Sequence, residues 1–195
     1  MLSYSESLKI LKETNALLEG HFILSSGLHS NQYVQCAKLL SFPKKAVSIC
    51  ASLCEKINKT FNKIDIILSP AIGGIVVGYE VGRQLGIETI FAERLKDKLK
   101  LRRGFVIPKN SNVLIVEDVI TTGKSALECS KIIKMSNSKL IGYACIIDRS
   151  DKKILIKDKI VSQIKFEILT FKKNELPANL KKIKPVKPGS RSLYK

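Results

Sequence analysis

Apolar residues recur along this chain in two rhythms, and their alternation predicts the architecture. Ser3 to Leu18 has Leu8, Leu11 and Leu18 at near-helical spacing behind a Ser3/Glu6 capping box, so a first helix is expected there, ended by Gly20. His21 to Leu24 reads as a short strand, S-S-G-L-H-S as a turn, and Tyr33 to Cys36 as a resumed extended segment. His29 in that turn has two readings, a ligand contact or a solvated loop histidine. From Pro43 to Asn58, Ala46, Ile49, Cys50, Leu53 and Ile57 fall on one helical face. Strands are expected at Ile64 to Leu68, Glu88 to Ala92, Val113 to Val116, Lys139 to Ile147 and Lys165 to Thr170, with further helices around Gly74 to Gly82 and over Ser125 to Met135. The tail K-K-I-K-P-V-K-P-G-S-R is basic, Pro-rich and expected to be irregular. Alternating short strands and amphipathic helices specify an α/β fold with a mostly parallel sheet.

The stretch from Asn112 to Ser125, N-V-L-I-V-E-D-V-I-T-T-G-K-S, carries the most chemistry. A β-branched run suits a strand buried on both faces, Glu117 and Asp118 close it, and Thr121, Thr122, Gly123, Lys124 and Ser125 lead into a helix. A helix start offers unpaired N–H groups to an anion, and a glycine lets the backbone approach it. Carboxylates beside a phosphate turn would repel the phosphate itself, so they suit the hydroxyls of a sugar or a hydrated Mg2+. A sugar phosphate follows. The competing Walker A reading needs a glycine five positions before Gly123, where Asp118 stands. The bland alternative is a buried strand followed by a polar turn.

Length and charge narrow the class. With 195 residues the chain is one ordinary domain, and no apolar run is long enough to span a membrane. No basic-then-apolar leader opens the sequence, so a cytoplasmic location is expected. Five cysteines lie scattered in apolar segments, which suits reduced core residues. The formal charge of +17 would fit a nucleic-acid binder, but no Trp is present and the cations are spread along the chain, so steering of polyanionic substrates explains it better. The densest cations fall in E-R-L-K-D-K-L-K-L-R-R-G, which is either a solvated helix with Leu95 and Leu99 four apart or a mobile catalytic loop. Arg149, after the strand ending at Ile147, could grip a carboxylate through two parallel hydrogen bonds or form a surface ion pair with Asp148 or Asp151.

V-L-I-V-E-D-V-I-T-T-G-K-S resembles the 5-phosphoribosyl-1-diphosphate (PRPP) signature of the type I phosphoribosyltransferases. The segments at 16–30 (A-L-L-E-G-H-F-I-L-S-S-G-L-H-S), 69–81, 101–105 (L-R-R-G-F), 147–150 (I-D-R-S) and 186–191 (V-K-P-G-S-R) extend that resemblance, over nearly the whole chain, to the short bacterial orotate phosphoribosyltransferases. The resemblance implies a type I phosphoribosyltransferase fold, one domain with a small hood from about residues 1–40 and 150–195. It implies Mg2+-dependent transfer from PRPP to orotate, the metal held through PRPP and water. PRPP would be held by Glu117, Asp118, Val119, Ile120, Thr121, Thr122, Gly123, Lys124 and Ser125, with Ala71, Ile72 and Gly73 as the pyrophosphate turn. Thr121 and Arg149 would face orotate. Arg94, Lys98, Lys100 and Arg102 would be the loop cations of catalysis, reaching across a homodimer, with the general acid open between Lys98 and Lys100. Longer relatives carry lysines where Ser25 and Gly73 stand, and close relatives often have a cysteine pair near Glu175 to Leu180 that this chain lacks. No nucleic-acid or membrane partner is implied.

Overall fold

The computed structural model describes residues 1–24, 26–151 and 154–188. Six strands form the main sheet in the order β5-β4-β3-β6-β7-β8, where β3 is Ile66–Pro70, β4 Glu88–Leu95, β5 Lys98–Leu101, β6 Asn112–Ile120, β7 Lys139–Asp148 and β8 Ile160–Lys165. Only the β4–β5 pair is antiparallel. Helices α3 (Pro43–Thr60), α4 (Gly73–Leu85) and α5 (Lys124–Met135) cover the two faces. Along β6, Leu114 and Val116 enter one apolar cluster with Val77 and Val81 of α4, while Val113 and Ile115 enter the other with Ala126, Cys129 and Ile133 of α5. Consecutive residues of a strand point to opposite faces, so an unbroken apolar run is what a sheet covered on both sides requires.

Gly78 and Gly82 let α4 lie close on the sheet: a Cβ at Gly78 would collide with the Ser69 hydroxyl and one at Gly82 with that of Thr89. A second sheet joins both ends of the chain, in the order β1-β2-β9, from β1 (Leu17–Ile23), β2 (His29–Val34) and β9 (Thr170–Phe171). Val186 adds an isolated bridge to Phe22. The remaining helices are α1 (Tyr4–Glu13), α2 (Cys36–Leu40) and α6 (Ala178–Lys181).

Several sequence expectations need correction. The first helix stops at Glu13, because Asn15 takes a left-handed φ of 54° and turns the chain into β1, which contains Leu18 and Gly20. The last sheet strand is Ile160–Lys165, not 165 to 170. Cys36 starts a short helix instead of ending a strand. The cation-rich stretch is not a helix: most of it forms the β4–β5 hairpin, with Arg102 to Gly104 following β5. Ser25 and the tail beyond Pro188, including Gly189 to Arg191 of the matched segment, lie outside the described residues. All five cysteines are buried and free.

His29 is neither solvated nor in a turn. It is buried in β2, its Nδ1 lies 2.7 Å from His21 Nε2, and His21 Nδ1 lies 2.8 Å from the Ile183 carbonyl. A carbonyl only accepts, so His21 donates from Nδ1; in the neutral ring its Nε2 then accepts from His29 Nδ1. The pair ties Ile183, near the C-terminus, to β1 and β2.

Candidate functional site

At the carboxyl ends of β3 and β6 lies a cavity of about 220 Å3 lined by Pro70, Ala71, Gly73, Gly74, Glu117, Asp118, Val119, Thr121, Thr122, Gly123, Lys124 and Ser125. Two helices begin at its wall. The first residue of α4 is Gly73 and the first of α5 is Lys124, and neither helix has a side-chain cap. In contrast α1 has both halves of its capping box, with Ser3 accepting from the Glu6 amide. Uncapped helix starts leave several N–H groups for a ligand and put the positive ends of two macrodipoles on one cleft.

Strand alternation divides the acids between these two helix starts. Asp118 shares a face with Leu114 and Val116 and comes to lie against α4, so a Cβ at Gly73 would sit 2.6 Å from its Oδ2. Glu117 shares a face with Val113 and Ile115, on the side of α5. Gly123 is needed twice over, for its left-handed φ of 78° and because a Cβ there would meet Ile156 at 2.7 Å. The turn into α5 is also pinned by the Leu155 amide, which donates to the Thr122 carbonyl at 3.1 Å.

Burial, and then the neighbouring Asp118 carboxylate, push Glu117 up to about 8. Burial also raises Asp118, while the amides of Val119 and of its own residue pull it back. No cation among the described residues forms a salt bridge with either acid. An acid whose native value is raised favours the fold fully below its unfolded value near 4.5, and that contribution is lost as pH climbs through about 8. Glu117→Gln will therefore raise stability at pH 8.5 by on the order of 1–2 kcal/mol and leave it little changed at pH 4. Thermal unfolding at both pH values checks this, and equal shifts would remove the buried charge as the cause.

Other expected residues stand apart from the cavity wall. Ile72 points outward and Ile120 is fully buried in the core, its carbonyl accepting from the Arg149 amide at 2.8 Å. The Arg149 side chain is partly buried, with an Nε that has no partner. Burial lowers its pKa, opposed by the nearby Tyr33 phenol of β2. Asp148 is taken by Lys165 at 3.1 Å and by the Ser150 amide at 2.8 Å. On the hairpin, Arg94 pairs with Glu128, and Arg103 pairs with Glu93 while lying over the Phe91 ring. Lys98 and Lys100 are exposed. Pro70 and Gly74 line the cavity without having been expected; the run S-P-A-I-G-G contained the signal, since a strand end followed by two glycines extends a turn in both directions.

Residues 43–180 match the phosphoribosyl transferase domain family. The chain is 44% identical over 191 residues to an orotate phosphoribosyltransferase of Chlorobaculum parvum, covering 98% of both chains. It is 46% identical over 191 residues to that of Methylorubrum extorquens, covering 97% of both. Among solved structures, the orotate phosphoribosyltransferase of Aeropyrum pernix superposes with a TM-score of 0.71 at 21% identity, over 81% of this chain and 92% of that one. The adenine phosphoribosyltransferase of Thermoanaerobacter pseudethanolicus gives 0.60 at 19% identity, over 69% and 88%. The distant structures share the fold across two base specificities, while the near relatives span the whole chain at high identity. The chain belongs to the orotate phosphoribosyltransferase family.

Proposed function

We propose that the residues of this cleft divide the family's reaction among them. The protein transfers the phosphoribosyl group of PRPP to orotate, giving orotidine 5'-monophosphate and pyrophosphate in pyrimidine biosynthesis. One observation carries the division of labour: two uncapped helix starts flank a pair of acids that no described cation neutralises. The α5 start with Thr121 to Ser125 takes the 5'-phosphate, and the α4 start with Ala71, Gly73 and Gly74 takes the diphosphate. Glu117 and Asp118 accept hydrogen bonds from the ribose hydroxyls between them, and this draws both acids into their ionised forms. Arg149 holds the orotate carboxylate.

Among the described residues no group of three or more His, Cys, Asp or Glu could hold a metal. Two acids beside a diphosphate subsite suit Mg2+ carried in by PRPP and water. When bound, Mg2+ would neutralise charge on the departing pyrophosphate. Lys98, Lys100 and Arg102 add cationic stabilisation to that leaving group, which a ribocation-like transition state needs more than a strong base.

Purified protein with PRPP, Mg2+ and orotate will deplete orotate ultraviolet absorbance; turnover of a purine or uracil instead would replace the base assignment. Lys98→Ala with Lys100→Ala will lower kcat about 10- to 100-fold, with little change in orotate KM. Steady-state kinetics decides, and an unaltered kcat removes the hairpin from the mechanism. We also place a second copy of the chain against α4, where Ile72, Val76 and Tyr79 form an apolar stripe 85, 50 and 65% exposed. Light scattering at the mass of one chain would remove the homodimer. Five free buried cysteines suit a reducing, cytoplasmic compartment; among the described residues no helix is long and apolar enough to cross a membrane.

A further inference from the structure

Three donor groups of the β4–β5 hairpin converge on one carboxylate of α5. Arg94 donates to Glu128 from Nη1 at 3.2 Å and from Nη2 at 3.3 Å, and the Leu99 amide donates to the same carboxylate at 3.1 Å. Arg94 also donates to the Asp97 carbonyl at 3.0 Å, bracing a turn in which Lys96 takes a left-handed φ of 54°. The Leu99 side chain is 5% exposed and shares a cluster with Ala126, Cys129 and Ile133 of α5. Because strand side chains alternate, seating Leu99 inward sends Lys98 and Lys100 outward. An edge strand paired only with β4 has no second neighbour to fix its place. An isolated exposed ion pair fixes little. Glu128 differs, being 18% exposed and accepting from backbone as well as side chain.

We infer that Glu128 is a positioning residue for pyrophosphate departure: it couples the helix whose first turn takes the 5'-phosphate to the hairpin that carries the leaving-group cations. Glu128 touches no substrate. It sets where Lys98 and Lys100 stand on the hairpin, and so how those cations meet a departing pyrophosphate. The inference rests on the reading that the hairpin cations act on pyrophosphate.

The test compares Glu128→Ala, Glu128→Gln and the Lys98→Ala/Lys100→Ala double variant, by steady-state kinetics and by trypsin cleavage of the hairpin with and without PRPP. Glu128→Ala is expected to lower kcat about tenfold, keep the KM for PRPP within about twofold, and speed cleavage after Lys98 and Lys100, since misplacing a reacting group by about 1 Å costs that much or more. Glu128→Gln keeps an acceptor for the Leu99 amide but not the charge for Arg94, and is expected to fall between. If the double lysine variant is slow while both Glu128 variants turn over normally, the positioning role is overturned and the hairpin reading stands. If all three turn over normally, the hairpin reading fails and the inference fails with it. If Glu128→Ala does not fold, normal kcat and normal cleavage in Glu128→Gln overturn the role.

Discussion

Asp118→Asn will cut kcat/KM for PRPP by about 100-fold while leaving the circular dichroism spectrum and thermal midpoint near those of the parent. The side chain lies against the first turn of α4 with so little room that even a methyl on Gly73 would overlap it, at 2.6 to 2.8 Å from its carboxyl atoms. An amide of the same shape fills that space, so packing is kept. What changes is the acceptor: a hydrogen bond to a charged group contributes about 1.5–3 kcal/mol, and the amide presents a donor where a ribose hydroxyl needs an acceptor. The loss falls on transition-state as well as ground-state binding, because the ribose must be held while charge develops at its anomeric carbon. Initial rates across PRPP concentrations measure it, and activity within threefold of the parent would make the acidic pair a structural feature of the strand end.

The second large effect is expected from Arg149→Ala, which will raise the KM for orotate about 100-fold and change the KM for PRPP far less. The guanidinium is partly buried, its Nε has no partner, and burial already works against its charge. A buried donor without a partner is costly to keep in an empty protein and strongly rewarded when a planar carboxylate arrives. Arg149→Lys will not restore affinity, since an ammonium cannot present two parallel N–H groups. Stability will hold or improve slightly in Arg149→Ala, because Asp148 keeps Lys165 and the Ser150 amide. An orotate KM unmoved by either substitution would send the carboxylate elsewhere in the cleft.

How much of this was legible in the chain depends on what each segment packs against. The uninterrupted apolar run of β6 and the one-faced patterns of α3 and α5 announce themselves, because a centrally placed strand and a half-covered helix have little freedom in composition. The acidic pair at the strand end and the glycine turn into α5 were legible for the same reason, whereas the absence of a side-chain cap at Ile72 and Gly123 is seen only in the structure. The β4–β5 hairpin was harder. K-L-K-L does alternate with period two, but the density of lysines hid the strand behind an expectation of mobility. Leu17 and Leu18 continue a helical spacing, and only the tolerance of Asn15 for a left-handed turn marks the break. The His21–His29 contact and the burial of Arg149 depend on chain ends folding back over the sheet, which local pattern does not encode.

The adjacency of β3 and β6 has a consequence for how the protein matures. Half of the substrate cradle is specified before the hairpin and half after it, and the halves meet only when Ile66, Ile67 and Leu68 align with Val113, Leu114 and Ile115. A chain bearing residues 117–125 without 70–74 has only part of the cavity wall, so on the proposed reading PRPP binding is coupled to formation of the whole sheet. The substrate thereby acts as a thermodynamic ratchet on completion: at a concentration of about 100 times Kd it will deepen the native basin by about 2.7 kcal/mol, visible as a melting point that climbs with the logarithm of added PRPP.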